Sequence, residues 1–254
     1  MYIEGELVMK AIMLVAGYAT RLYPLTLNVP KALLPVGDKA ILDYIVDEVV
    51  TIPEIDEIVV ISNHKFYEHF VEWKNAKDIG VKITVLDDNT TDDSNKLGAI
   101  GDMNFAIETC GIDDDIIVLA GDNLFNYKLK DGYDYFKNVD KDVIFTKEID
   151  SIDDLRRMAN VELDENGKVL SLVEKPQNPK SNIAAFATYI YKKETLPIIK
   201  KYLDEGNNPD APGFFPAYLH KIKDVYAYKF EGECIDIGTP ESYKNVCENI
   251  DKFF

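Results

Sequence analysis

The chain has 254 residues, 28 of them Lys or Arg and 45 Asp or Glu, giving a formal charge of −17 at pH 7. That length buries one large core or two small ones, and shares of 46% hydrophobic and 29% charged residues exclude a mostly disordered chain. So acidic a composition argues against a nucleic-acid partner or an anionic membrane surface, both of which need clustered cations. It leaves room for a small anionic ligand held by a few focused positive groups.

Cys110, Cys234 and Cys247 make neither a disulfide framework nor a CxxC pair, and His64, His69 and His220 make no HExxH cluster. No apolar run reaches the roughly 18 residues of a membrane span. The first residues, Met1 to Met9, lack the basic start and apolar stretch of a signal peptide. A cytoplasmic enzyme is the expectation.

In chain order, Lys10–Val15 reads as a buried strand ended by Ala16-Gly17, and Ile41–Val50 repeats apolar residues at helical spacing. Glu57–Ser62 is a second strand, His64–Lys77 an amphipathic helix through Phe66, Phe70 and Trp73, Val81–Leu86 a third strand, Leu97–Thr109 a helix and Asp115–Ala120 a fourth strand. This alternation predicts an α/β fold, Rossmann-like, whose mixed and mainly parallel sheet is flanked by helices and binds ligand at the carboxyl ends of its strands. Beyond about residue 141 the pattern turns sheet-rich: Val143–Lys147, Asn160–Leu163, Val169–Val173 and Ala184–Tyr191 are strand-like. Asn166-Gly167 predicts a hairpin over 160–173. Helices are expected at Glu194–Leu203 and Phe214–Ile222. A last one is capped by Thr239, opened by Pro240, and lined on one face by Tyr243, Val246, Cys247 and Ile250. The organisation expected is a single catalytic domain over 9–254, with a first half to about 140, a sheet-rich second half from about 141, and residues 1–8 as an extension.

Two segments carry chemistry. Gly17-Tyr18-Ala19-Thr20-Arg21 follows the first strand directly; a turn of small residues lets backbone amides approach an anion, and Arg21 adds a bidentate fork. In Pro30-Lys31-Ala32-Leu33-Leu34-Pro35 two prolines restrict the chain around Lys31. Neither segment is a Walker A loop nor a GxGxxG fingerprint. On these residues alone, a phosphate cradle competes with a plain turn bearing a surface arginine and lysine. Asp87–Asn95 lacks the glycine and glutamate of an EF-hand, which leaves a polar loop over a base or a loop closing on ligand.

Residues 11–36, AIMLVAGYATRLYPLTLNVPKALLPV, resemble the signature of the sugar-1-phosphate nucleotidyltransferases, and four more motifs follow in the family's order: Leu97-Gly98-Ala99-Ile100-Gly101, Gly121-Asp122-Asn123, Glu174-Lys175-Pro176 with Pro179-Lys180-Ser181-Asn182, and Asp236-Ile237-Gly238-Thr239-Pro240. Within that family the chain resembles the glucose-1-phosphate thymidylyltransferases. The resemblance implies the nucleotide-diphospho-sugar transferase fold with a sugar-binding second half. It implies transfer of a nucleotidyl group from an NTP, dTTP or UTP by the PKSN segment, to a sugar 1-phosphate, with release of pyrophosphate.

By the same resemblance Arg21, Lys31 and Lys175 are catalytic, placing one cation each on the leaving group, the α-phosphorus and the attacker. Leu14, Ala16, Gly17, Tyr18, Ala19, Thr20 and Gly98 hold the nucleotide; Glu174, Lys175, Ala159, Asn123 and Ala185 hold the sugar; Asp122 and Asp236 bind Mg²⁺. The physics of the reaction agrees: an already anionic attacker needs no strong base, so positioning and charge stabilisation carry the rate. A homo-oligomer is compatible with the resemblance. The chain departs from the family with Ala16 and Ala19 at glycine positions of the turn, Ala159 and Ala187 at glycines beside the sugar, Phe186 for a Thr, Asp102 for a small residue near the base, and Cys234 for a Trp. Two other readings stay open: a cytidylyltransferase for another phosphorylated acceptor such as phosphocholine or a polyol phosphate, and a non-catalytic ligand-sensing relative.

Overall fold

A computed structural model describes residues 8–254; the expected extension at 1–8 therefore falls almost wholly outside the described residues. In chain order the strands are β1 (Met9–Leu14), β2 (Pro35–Val36), β3 (Lys39–Ala40), β4 (Ile55–Ser62), β5 (Lys82–Asp87), β6 (Asp115–Ala120), β7 (Asn123–Phe125), β8 (Asp142–Glu148), β9 (Ala159–Leu163), β10 (Val169–Glu174), β11 (Ile183–Tyr191), β12 (Val225–Lys229) and β13 (Cys234–Asp236). The helices are α1 (Ile41–Val49), α2 (Tyr67–Asn75), α3 (Ala99–Cys110), α4 (Leu129–Val139), α5 (Ile152–Leu155), α6 (Leu196–Asp204), α7 (Phe214–Leu219) and α8 (Pro240–Phe253). They fold into two compact units that interleave along the sequence. One holds the chain through Lys96, Leu119–Lys130 and Gly232–Phe254; the other holds Leu97–Val118 and Asp131–Glu231.

In the first unit β1, β4 and β5 run parallel, with Ala11 opposite Ile58 and Ile58 opposite Ile83. Ile12, Val59 and Val60 are fully buried, which is why the centres of β1 and β4 read as apolar runs, whereas the edge strand β5 alternates and buries only Ile83 and Val85. Helix α1 buries Ile41, Leu42, Ile45, Val46 and Val49. Its first turn is closed where the Ala40 amide donates to Asp43 Oδ2 at 3.1 Å. The other Asp43 oxygen accepts from Trp73 Nε1 at 2.8 Å, joining α1 to α2. Helix α8 starts as its sequence predicts: Thr239 Oγ1 accepts from the Ser242 amide at 3.1 Å and Pro240 takes the first helical position. Of its expected apolar face only Val246 is fully buried. The short strands β7 and β13, neither visible as a periodic run, pair antiparallel and set Asp236 opposite Asn123.

The second unit is sheet-rich. β9 and β10 form the expected hairpin, its turn held by Asp164 Oδ1, which accepts from the Asn166 and Lys168 amides at 2.8 and 2.9 Å. β11 runs antiparallel to β8 and β9, and β12 adds to β8 in parallel. Asn160, buried on β9, donates to the carbonyls of Ser181 and Ile183 at 2.9 Å each and accepts from the Lys180 amide at 2.8 Å. The Pro179–Asn182 segment is thus tied to the hairpin by one side chain. Helix α4 has no counterpart among the expected elements. Gly132 sits inside it because a Cβ there would lie 2.1 Å from Phe145 Cζ, so a residue that weakens the helix in isolation is needed by the ring packed on it.

Candidate functional site

The phosphate-turn expectation rests on whether the amides after β1 are free. Val15 donates to the Ile61 carbonyl at 3.1 Å, which ends the strand pairing. From Gly17 to Arg21 no backbone amide donates to a protein acceptor among the described residues. Carbonyls fix the turn instead: Asn63 Nδ2 donates to Ala16 O at 2.8 Å, and Ala19 O accepts from Thr26 Oγ1 at 2.8 Å and from the Leu22 amide at 3.0 Å. A run of donors unused among the described residues, in a turn held by its carbonyls, leaves the amides available to an anion. Ala19 adopts φ 46°, ψ 43°, left-handed backbone that usually belongs to glycine. Ala16 does not have positive φ.

The turn forms one wall of a cleft of about 330 Å³ lined by Leu14, Gly17, Tyr18, Ala19, Thr20, Arg21, Lys31, Asp122, Asp236 and Gly238, among others. Arg21 makes no ion pair or side-chain hydrogen bond with the described residues. Tyr18 is buried, its hydroxyl beside Thr90. Burial first, then the carboxylates of Asp88, Asp92 and Asp93, push its pKa up, so it stays a neutral phenol. Asp93 and Lys96, from the loop after β5, also line the cleft; Asp93 lies in the 87–95 segment expected to cover a base or close on ligand, whereas Lys96 carried no mark in the sequence. Asn63, which anchors the turn, was equally unmarked; a polar residue directly after a buried strand is the only hint it offers.

Lys31 is the centre of the charge arrangement. It is only 7% exposed, and its Nζ lies 3.0 Å from Asp122 Oδ2 and 3.0 Å from Asp236 Oδ1. Burial works against the ammonium, and the two carboxylates overcome it, raising its pKa above the usual lysine value. Lys31 therefore stays charged at every physiological pH. The aspartates arrive from separate segments. Asp122 follows Gly121, whose amide donates to Leu14 O at 3.0 Å and whose bare Cα is required because a Cβ would lie 2.4 Å from Val15 Cγ1. Asp236 ends β13 and is brought alongside by pairing with β7. Each gives one oxygen to Lys31 and keeps another acceptor; no third His, Cys, Asp or Glu joins them among the described residues. Two carboxylates with spare oxygens fit a hard cation that completes its shell with phosphate and water.

The second unit gathers most of the residues expected at the sugar. Glu174 on β10 lies opposite Ala159 on β9, and Ala159 lies opposite Ala185 on β11, so the three form one cross-strand row. The Glu174 side chain is 9% exposed, and its sole ionic contact among the described residues is Lys175 Nζ at 3.8 Å, beyond hydrogen-bonding distance. Burial raises its pKa, with Lys175 opposing. Lys175 itself is exposed and has φ 47°, left-handed backbone at a lysine. Asn123 belongs to the first unit, on β7. Gly98 belongs to the second. Its φ of 79° and a would-be Cβ 2.6 Å from Pro209 O both demand glycine, and the Ala99 and Ile100 amides that follow donate to Asp210 O and Pro209 O. Phe186 is buried edge-to-face against Phe230, in the stretch where β11 bulges away from β8.

Comparison with known proteins follows the same lines. The family model described as "Nucleotidyl transferase" matches residues 10–252. The chain is 30% identical over 237 residues to the bifunctional protein GlmU of Methanocaldococcus jannaschii, covering 91% of this chain and 52% of that protein. It is 29% identical over 237 residues to the low-salt glycan biosynthesis nucleotidyltransferase Agl11 of Haloferax volcanii, covering 92% and 63%. The chain thus spans between about half and two-thirds of the length of these curated relatives. Among solved structures, UDP-glucose pyrophosphorylase complexed with UDP-glucose matches with a TM-score of 0.81 at 18% identity, over 97% of this chain and 99% of that one. That likeness is one of fold, and it agrees with the mixed, mainly parallel α/β architecture expected from the sequence. No helix among the described residues is long and apolar enough to cross a membrane.

Proposed function

Because the chain belongs to the nucleotidyl transferase family, we propose that it transfers a nucleotidyl group from an NTP, dTTP or UTP, to a sugar 1-phosphate and releases pyrophosphate. The observation that carries this reading is the run of amides from Gly17 to Arg21 that donate to no described residue, in one cleft with an arginine that pairs with no described residue and a buried, charged lysine. The amides and Arg21 take the triphosphate, and Arg21 offsets the charge that grows on pyrophosphate as the bond between the α-phosphorus and the leaving oxygen breaks. Lys31 offers its ammonium to the α-phosphate; Asp122 and Asp236 keep it charged and in place. The incoming sugar phosphate supplies the oxygen that forms the new bond, and Lys175 screens its charge. Glu174, buried and short of donors, accepts from sugar hydroxyls. Asp122 and Asp236 would hold Mg²⁺, which supplies further neutralisation of phosphate oxygens when bound.

The acceptor reading favours a sugar over phosphocholine or a polyol phosphate because Glu174, short of donors among the described residues, adjoins Lys175: a carboxylate for hydroxyls next to a cation for the phosphate. The test is pyrophosphate release across dTTP, UTP, CTP, ATP and GTP with a panel of sugar 1-phosphates and phosphocholine, with and without Mg²⁺. Mg²⁺-dependent release with one sugar 1-phosphate and dTTP or UTP is the expected result. Release with phosphocholine alone would overturn the sugar reading, and silence across the panel with intact NTP binding would favour the sensing relative.

A further inference from the structure

Gly213 directly precedes α7 and has φ −68° and ψ −15°, a conformation open to every residue. Its backbone therefore does not ask for glycine. Its surroundings do. A Cβ built on Gly213 would lie 2.1 Å from Glu174 Oε2, 3.1 Å from Glu174 Cδ and 3.3 Å from the Ala159 methyl. The carboxylate thus lies directly over the Gly213 Cα, and no hydrogen-bond donor of the described residues holds it there. A carboxylate in this setting is placed by the space left for it.

We infer that Gly213 is a positioning residue for acceptor binding: its missing side chain is the seat of the Glu174 carboxylate, and any side chain at 213 displaces that carboxylate from the sugar. The inference rests on reading Glu174 as the group that accepts from sugar hydroxyls. The obstructing atom is the free end of a flexible side chain, so a methyl at 213 moves Glu174 and leaves the α7 backbone unstrained. The defect is local and confined to one substrate.

The experiment uses the full chain as wild type, Gly213→Ala, and Gly213→Ala with Glu174→Asp, whose carboxylate is one methylene further back. Gly213→Ala is expected to raise the KM for the sugar 1-phosphate by about 10–100-fold, as for one or two lost charge-assisted hydrogen bonds, with the NTP KM unchanged and the melting temperature held. The double variant is expected to recover much of that loss. In ligand-free protein, carbon-13 NMR of the Glu174 carboxyl is expected to show its raised pKa falling toward the ordinary glutamate value in Gly213→Ala. An unchanged sugar KM with an unchanged Glu174 titration overturns the inference. So does a joint rise of both KM values with a lowered melting temperature, or a double variant no better than the single. If wild type is silent with every sugar 1-phosphate, the functional reading fails; the titration still decides whether Gly213 seats the carboxylate.

Discussion

Ala16 and Ala19 occupy family glycine positions in one turn, and the structure separates them. Ala19 has φ 46°, whereas Ala16 does not have positive φ. Left-handed backbone at a non-glycine residue costs about 1–2 kcal/mol. Glycine at 19 removes that strain and returns about 0.4–1 kcal/mol to the unfolded chain as extra freedom. Ala19→Gly should therefore stabilise by about 0.5–1 kcal/mol net, a rise of roughly 1–4 °C in melting temperature for a chain of this size. Ala16→Gly gains nothing from strain, loses a buried methyl worth about 0.8 kcal/mol, and carries the same entropic penalty. It should lower the melting temperature by roughly 2–8 °C. Both keep the amides at 16 and 19, so turnover in Ala19→Gly should stay near wild type. The assay is thermal unfolding by circular dichroism with parallel pyrophosphate release. A fall in melting temperature for Ala19→Gly, or equal shifts for the two variants, would refute the assignment of strain to Ala19.

Arg21→Ala should reduce turnover by about 10²–10³-fold, as for loss of a preorganised donor to a developing charge, with folding intact; single-turnover pyrophosphate release checks this, and a near-normal rate would remove Arg21 from the leaving-group role. Asp122→Ala and Asp236→Ala should each abolish Mg²⁺-stimulated turnover while the far-ultraviolet spectrum is kept; wild-type metal dependence in either would cancel its ligand role. Glu174 has a pKa raised by burial, so the ionised form that accepts from hydroxyls fills only as pH rises through that value. The sugar KM should fall over that range while the NTP KM does not, and Glu174→Gln should remove the dependence. The linkage to stability has the opposite sense: a raised folded-state pKa means the native chain holds the proton more tightly, so this group's contribution is present at low pH and lost as pH rises through the folded value. Glu174→Gln should flatten that part of the unfolding-versus-pH curve.

The alternation of apolar runs and amphipathic segments carried the parallel strands of the first unit: the buried centres of β1 and β4 leave continuous apolar stretches in the sequence, and the edge strand β5 alternates, burying Ile83 and Val85. The Asn-Gly hairpin and the cap of α8 were equally legible, since turn and cap chemistry are written within four residues. Helix α4 was not, because its glycine is explained only by Phe145, a residue of another element. Nor were β7 and β13, too short for any period, although their pairing is what delivers Asp236.

For the site, the sequence determined which residue types are present and in what order, and so the charge each one brings. Tertiary structure alone decided that the ammonium of Lys31 lies between Asp122 and Asp236, that Glu174, Ala159 and Ala185 share a row, and that Gly213 lies under the Glu174 carboxylate. The physical reason is range: backbone propensity and periodicity act over a few residues, whereas charge compensation and steric room are set by groups brought together across the chain.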